Sequence, residues 1–107
     1  MIVFGQEIYS EKEVNIKGDD MFVEPFGGVP LTATFKKNNQ PVSGIVRIFW
    51  KSERLKDEII FKNGQLESIT RYWNSKKGNR MHETIYKNGS IYSSKSWSPS
   101  GRLLRNE

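Results

Sequence analysis

The sequence predicts an all-β fold: a single twisted antiparallel meander of β-hairpin repeats, closed at one end by an atypical N-terminal segment. The first observation is a repeat. Glu58-Ile59-Ile60-Phe61-Lys62-Asn63-Gly64 and Glu83-Thr84-Ile85-Tyr86-Lys87-Asn88-Gly89 lie 25 residues apart and share the glutamate, an isoleucine and the whole Lys-Asn-Gly turn. A supersecondary unit that recurs at this period stacks on its neighbours, because one unit alone cannot bury its apolar face. The second is the turn chemistry, since Asn-Gly between apolar-aromatic runs favours the two-residue type I′ hairpin. The third is composition: 36% hydrophobic residues and a mean hydropathy of −0.65 suit a thin sheet with wet surfaces rather than a deep closed core.

Taken in order, residues 1–30 do not fit the repeat and are expected to cap the open end of the array. Within them Ile2-Val3-Phe4 and Val14-Asn15-Ile16 read as short strands, and Glu7 to Glu13 as one helical turn. Gly18-Asp19-Asp20 and Phe26-Gly27-Gly28-Val29-Pro30 read as turns. From residue 31 to 107 the chain holds about three hairpin units, the last cut short. Phe35-Lys36-Lys37-Asn38-Asn39-Gln40 looks like the Phe61 turn with an insertion, and Ile45-Val46-Arg47-Ile48-Phe49-Trp50 follows it as a strand.

Two-residue turns at Asn63-Gly64 and Asn88-Gly89 set Phe61 opposite Leu66 and Tyr86 opposite Ile91. Strict alternation then places Ile59, Phe61, Leu66 and Tyr72 on one face, and Ile60, Ile69 and Trp73 on the other. Trp50, Trp73 and Trp97 each precede a polar turn. Beyond each turn an apolar residue and a glutamate recur, as Leu55 with Glu58, Met81 with Glu83, and Leu104 with Glu107. At 107 residues this is one domain.

The bulk properties narrow the chemistry. The aromatic content of 12% argues against disorder. Without cysteine there is no disulfide, thiolate nucleophile or thiolate metal site. No stretch approaches the roughly 20 apolar residues that span a bilayer, and Met1 to Glu7 lacks the basic start and apolar run of a signal peptide, so the chain reads as cytoplasmic. The net charge of +5 and pI near 9.6 permit acidic partners, nucleic acid or anionic lipid, yet the cations are spread along the chain rather than clustered.

No constellation of catalytic type emerges. His82 is the only histidine and has no ligand partner at a metal-binding spacing. Alignment with Asp57 and Asn106 gives it a solvent-facing strand position. Glu58, Glu83 and Glu107 recur with the repeat, so each is expected to pair across strands with Lys or Arg in its own unit rather than to share one active site. Neither a Gly-x-Ser-x-Gly elbow nor a phosphate-binding glycine loop is present. The expectation is a non-enzyme with no cofactor and no metal.

Pro41-Val42-Ser43-Gly44, Phe49-Trp50, Leu55-Lys56-Asp57-Glu58 and Phe61-Lys62-Asn63-Gly64 together resemble a known repeat. They look like the MORN-repeat variant of the bacterial YwqK-type antitoxin family, over roughly residues 35–107. That resemblance implies a twisting antiparallel meander that binds rather than catalyses. The chain departs from the pattern where Ser52-Glu53-Arg54 lacks the turn glycine and where Ser68 and Ser93 stand in place of Gly44.

The strongest functional pattern is basic and aromatic. Arg47 with Phe49 and Trp50, Arg71 with Tyr72 and Trp73, and Lys95 with Trp97 recur on successive strands. These are the residue types of a protein-recognition hot spot. They lead to a protein-binding module with another protein as partner, and what the family resemblance implies for it is an antitoxin or immunity protein that sterically blocks a toxin. The alternatives are a sheet that binds nucleic acid or anionic membrane, and a structural module whose open edges pair with a second copy.

Overall fold

In a computed structural model that describes residues 7–18, 31–87 and 90–106, the chain is all-β. The nine strands are β1 (Ile8–Ser10), β2 (Val14–Lys17), β3 (Thr32–Phe35), β4 (Gly44–Phe49), β5 (Leu55–Lys62), β6 (Gln65–Tyr72), β7 (Arg80–Lys87), β8 (Ser90–Trp97) and β9 (Leu103–Asn106). From β4 to β9 they run as an uninterrupted antiparallel meander in sequence order, and β1 joins the β4 edge in parallel. Strands β2 and β3 form an antiparallel pair that touches the main sheet at Thr32 and Gln65. The expected strands at Ile2-Val3-Phe4, the turn at Phe26 to Pro30 and most of that at Gly18 to Asp20 lie outside the described residues, as do Asn88-Gly89 and Glu107.

The N-terminal helical turn is real but shorter than Glu7 to Glu13. Glu11–Glu13 forms one 3-10 turn, with the Ser10 N–H donating to Glu13 Oε2 (2.8 Å) and the Lys12 N–H to Ser10 Oγ (3.2 Å). This reciprocal capping satisfies backbone donors that the turn leaves open.

The Asn63-Gly64 hairpin forms as its chemistry requires, with φ of 51° and 80° at the two residues. Phe61 faces Leu66, and in the second hairpin Tyr86 faces Ile91. A triangle of main-chain hydrogen bonds locks the first turn against the rest of the fold. The Gly64 N–H donates to Val42 O, Val42 N–H to Ala33 O, and Ala33 N–H to Gly64 O, at 2.8, 3.0 and 3.0 Å. The Phe35–Gln40 loop also closes as a turn, with the Phe35 N–H donating to Gln40 O (2.9 Å), but its strands stay off the meander.

The core lies on one face of the meander. Val46, Ile59, Phe61, Leu66, Ile69 and Tyr86 are buried there together with Val14 of β2, Ala33 of β3, Leu31 and Val42. Ile69 therefore belongs to the core face, not the opposite one that strict alternation assigns. The reason is a β-bulge. Ile60 pairs with Ser68 while Phe61 pairs with Leu66, so Glu67 is an extra residue and every later side chain of β6 changes face. Tyr72 moves off the core face by the same step.

Equivalent irregularities recur in every strand pair of the meander, leaving Lys56, Met81, Tyr92 and Leu104 as the other extra residues. The bulges re-index the repeat. Phe49, Tyr72 and Trp97 are equivalent strand ends, paired with Leu55, Arg80 and Leu103. Trp50, Trp73 and Ser98 are the equivalent residues after them, each N–H donating across its turn to Arg54, Asn79 and Arg102. Glu67 and Tyr92, rather than Ser68 and Ser93, take the place of Gly44. The missing turn glycine is replaced by Glu53 itself at φ 73°, a left-handed conformation that Gly78 and Gly101 supply in the next two turns.

Candidate functional site

The face opposite the core carries a row of polar side chains crossing five strands. In register it reads Arg47, Glu58, Thr70, Glu83, Lys95. Arg47 Nε and Glu58 Oε2 form an ion pair at 2.9 Å, the cross-strand pairing that the recurring glutamate suggests. Glu83 stands opposite Lys95 and is met along its own strand by Arg80 at 3.7 Å. The place of Glu58 and Glu83 on β9 falls to Asn106 rather than Glu107, because Asn106 is the residue opposite Lys95.

Beside this row stand the aromatic strand ends of the same face, Phe49, Tyr72 and Trp97. Phe49 is 53% exposed. Tyr72 is half-buried, and burial raises its phenol pKa, with Glu58 adding to the rise and Arg80 and Arg47 opposing it. The Arg80 guanidinium lies 5.6 Å from the centre of the Trp97 ring, within cation–π range. Those two residues, with Asn79 and Gly101, line a notch of about 190 Å³. Arg47, Phe49, Tyr72, Lys95 and Trp97 thus share one face, as the basic-aromatic pattern suggests. Arg80 is a member that the pattern misses, because the extra residue Met81 hides its place opposite Tyr72.

Trp50 and Trp73 play a different part. The Trp50 indole N–H donates to Tyr72 O (3.3 Å), and the Trp73 indole N–H to Trp97 O (3.0 Å). Each indole fastens one turn to the aromatic strand end of the next unit. The turns are also linked by Ser52 to Asn74 (2.7 Å) and by Asn79 to the Pro99 carbonyl (2.9 Å). Lys56 places its ammonium 5.1 Å from the Trp50 ring centre.

Arg71 is on the core face. Its Nε is 2.8 Å from Asp57 Oδ1, and their side chains are 19% and 5% exposed. The residues at its position in the repeat are Ile48 and Ser96, not Arg47 and Lys95. His82 is placed on this face too, opposite Arg71 and Ser96, with Nδ1 2.9 Å from Ser96 Oγ. Its equivalents are Asp57 and Arg105, so the solvent-facing position given by strict counting is corrected to a half-buried one. Among the described residues, no three His, Cys, Asp or Glu side chains gather as a metal-ligand set.

Burial, followed by the neighbouring Arg71, lowers the His82 pKa below the ordinary histidine value. The sign of its stability effect follows. On acidification the unfolded chain takes up this proton first, near pH ~6.5, while the folded ring resists it. Stability is therefore expected to fall as pH drops below about 6.5 and to level off once the folded ring protonates. Urea unfolding of wild type and His82→Gln at a series of pH values checks this, the variant losing that component of the pH dependence.

No helix among the described residues is long and apolar enough to cross a membrane. Comparison with family models, curated proteins and solved structures finds no match for this chain.

Proposed function

We propose that the protein is a non-catalytic recognition module that binds another protein through the face of Arg47, Phe49, Tyr72, Lys95 and Trp97. The observation that carries this reading is the row Arg47, Glu58, Thr70, Glu83, Lys95 with aromatic strand ends beside it. Trp, Tyr and Arg on a rigid sheet are hot-spot residues. The alternation of charge matters as much. Two cations and two carboxylates in one row leave little net field, whereas a phosphate backbone is held by an unbroken basic track. A patterned surface instead suits a partner with its own pattern of charges, where complementarity sets approach and register. The resemblance of the hairpin units to MORN-type antitoxins makes a toxin the partner class, blocked by steric cover of its active cleft.

Capture from native extract at moderate salt, with and without nuclease, identifies the partner, and the purified pair is then measured directly. Phe49→Ala with Trp97→Ala should weaken that binding at least about tenfold, the cost of removing hot-spot rings, while far-UV circular dichroism stays unchanged. Loss of the captured material on nuclease treatment would instead favour nucleic acid. The antitoxin role requires in addition that one equivalent of the protein abolishes the partner's activity.

A further inference from the structure

We infer that copies of this chain associate head to tail, the β9 edge of one adding to the β1 edge of the next. Among the described residues, β9 is paired only with β8 and β1 only with β4, so the meander presents one open edge at each end. Both edges carry exposed apolar residues: Ile8 is 52% exposed, Leu103 49% and Leu104 56%. Open edges of this kind are templates for an incoming strand.

Strand direction favours pairing of unlike ends. Strands β4 to β9 alternate, and β1 runs parallel to β4, so β9 runs opposite to β1. Simple translation of a second copy therefore brings β1 alongside β9 as an antiparallel neighbour, and the alternation passes from one copy into the next. Charge selects the same arrangement. The β1 end carries Glu7, Glu11 and Glu13 against Lys12, whereas the β9 end carries Arg102 and Arg105. Pairing β9 with a second β9 would bring four arginines together, and pairing β1 with β1 would gather six glutamates. Like charges facing across strands are destabilising, and opposite charges stabilise.

In the register that sets Glu7 opposite Arg105, Ile8 meets Leu104 and the Glu11–Glu13 turn lies beyond Arg102. This contact is heterologous, so it propagates rather than closing on a dimer. It uses the ends of the sheet and leaves the proposed recognition face clear.

Sedimentation velocity on the 107-residue chain tests the assembly. The expected result is a mass that grows with concentration beyond a dimer and shrinks with added salt. Glu7→Arg and Arg105→Glu should each weaken association by roughly tenfold or more, with thermal unfolding confirming that both fold. An equimolar mixture of the two should regain growth beyond a dimer with the copies in alternation, since each edge of one variant is matched in charge by the opposite edge of the other. The double variant Glu7→Arg/Arg105→Glu should recover the growth of the wild type. A chain that remains monomeric at high concentration overturns the inference. So does a Glu7→Arg variant that still dimerises alone, which would mean like ends pairing through β9.

Discussion

Asp57→Ala is expected to destabilise the fold by about 3 to 5 kcal/mol, the cost of removing one partner of a buried ion pair. Asp57 is 5% exposed at its side chain and Arg71 19%, so water replaces little of the lost contact. The comparison that isolates burial is Glu58→Ala on the opposite face. There Arg47 is 38% exposed, and an ion pair open to solvent contributes about 1 kcal/mol or less. Urea denaturation of both variants should separate them by more than the precision of the extrapolation. Equal losses would show that Asp57 and Arg71 are as hydrated as the outer pair.

Gly44→Val carries the second large effect. Gly44 sits at φ 144°, and a Cβ built there would come within 2.7 Å of Glu7 O and 2.9 Å of the Tyr9 ring. Conformational strain and overpacking each cost about 1 to 3 kcal/mol, and here the cheapest relief is for β1 to leave. The Ile45 N–H, which donates to Glu7 O at 2.9 Å, reports that departure. Its hydrogen exchange is expected to accelerate strongly while the amide of Ile59 in the core keeps its protection. Gly78→Ala is the matched control, since Gly78 has φ 58° with nothing within 4 Å of the added carbon. It should cost only about 1 kcal/mol, the penalty of the left-handed backbone. If Gly44→Val unfolds no more easily than that control, the close approach of β1 is not tight.

Local chemistry makes much of this fold legible in the amino-acid sequence. Asn63-Gly64 dictates its own turn, and the turn dictates that Phe61 faces Leu66. What local chemistry cannot reveal is a bulge. Glu67 carries no signature that marks it as an extra residue, yet it moves Ile69 into the core and turns Tyr72 outward. The site is obscured in the same way. Arg71 precedes its aromatic by one residue, whereas Arg47 and Lys95 precede theirs by two, and that difference in spacing is the one sign that Arg71 faces the other way. The parallel placement of β1 against β4 has no sequence sign at all, because Ile8 and Ile45 are brought together by the tertiary fold. Gly44, whose missing side chain admits β1, shows its purpose only once that neighbour is in place.

The two indole hydrogen bonds that fasten Trp50 to the Tyr72 carbonyl and Trp73 to the Trp97 carbonyl bear on the thermodynamics of association. They hold the main chain of Tyr72 and Trp97, two rings of the proposed recognition face, in place in the free protein, so less conformational entropy would be lost on binding a partner there. Affinity gained in this way resides in the free protein rather than in the interface. On the proposed reading, a partner surface of ordinary area would then be held with a slow dissociation rate, because the sheet supplies the rigidity.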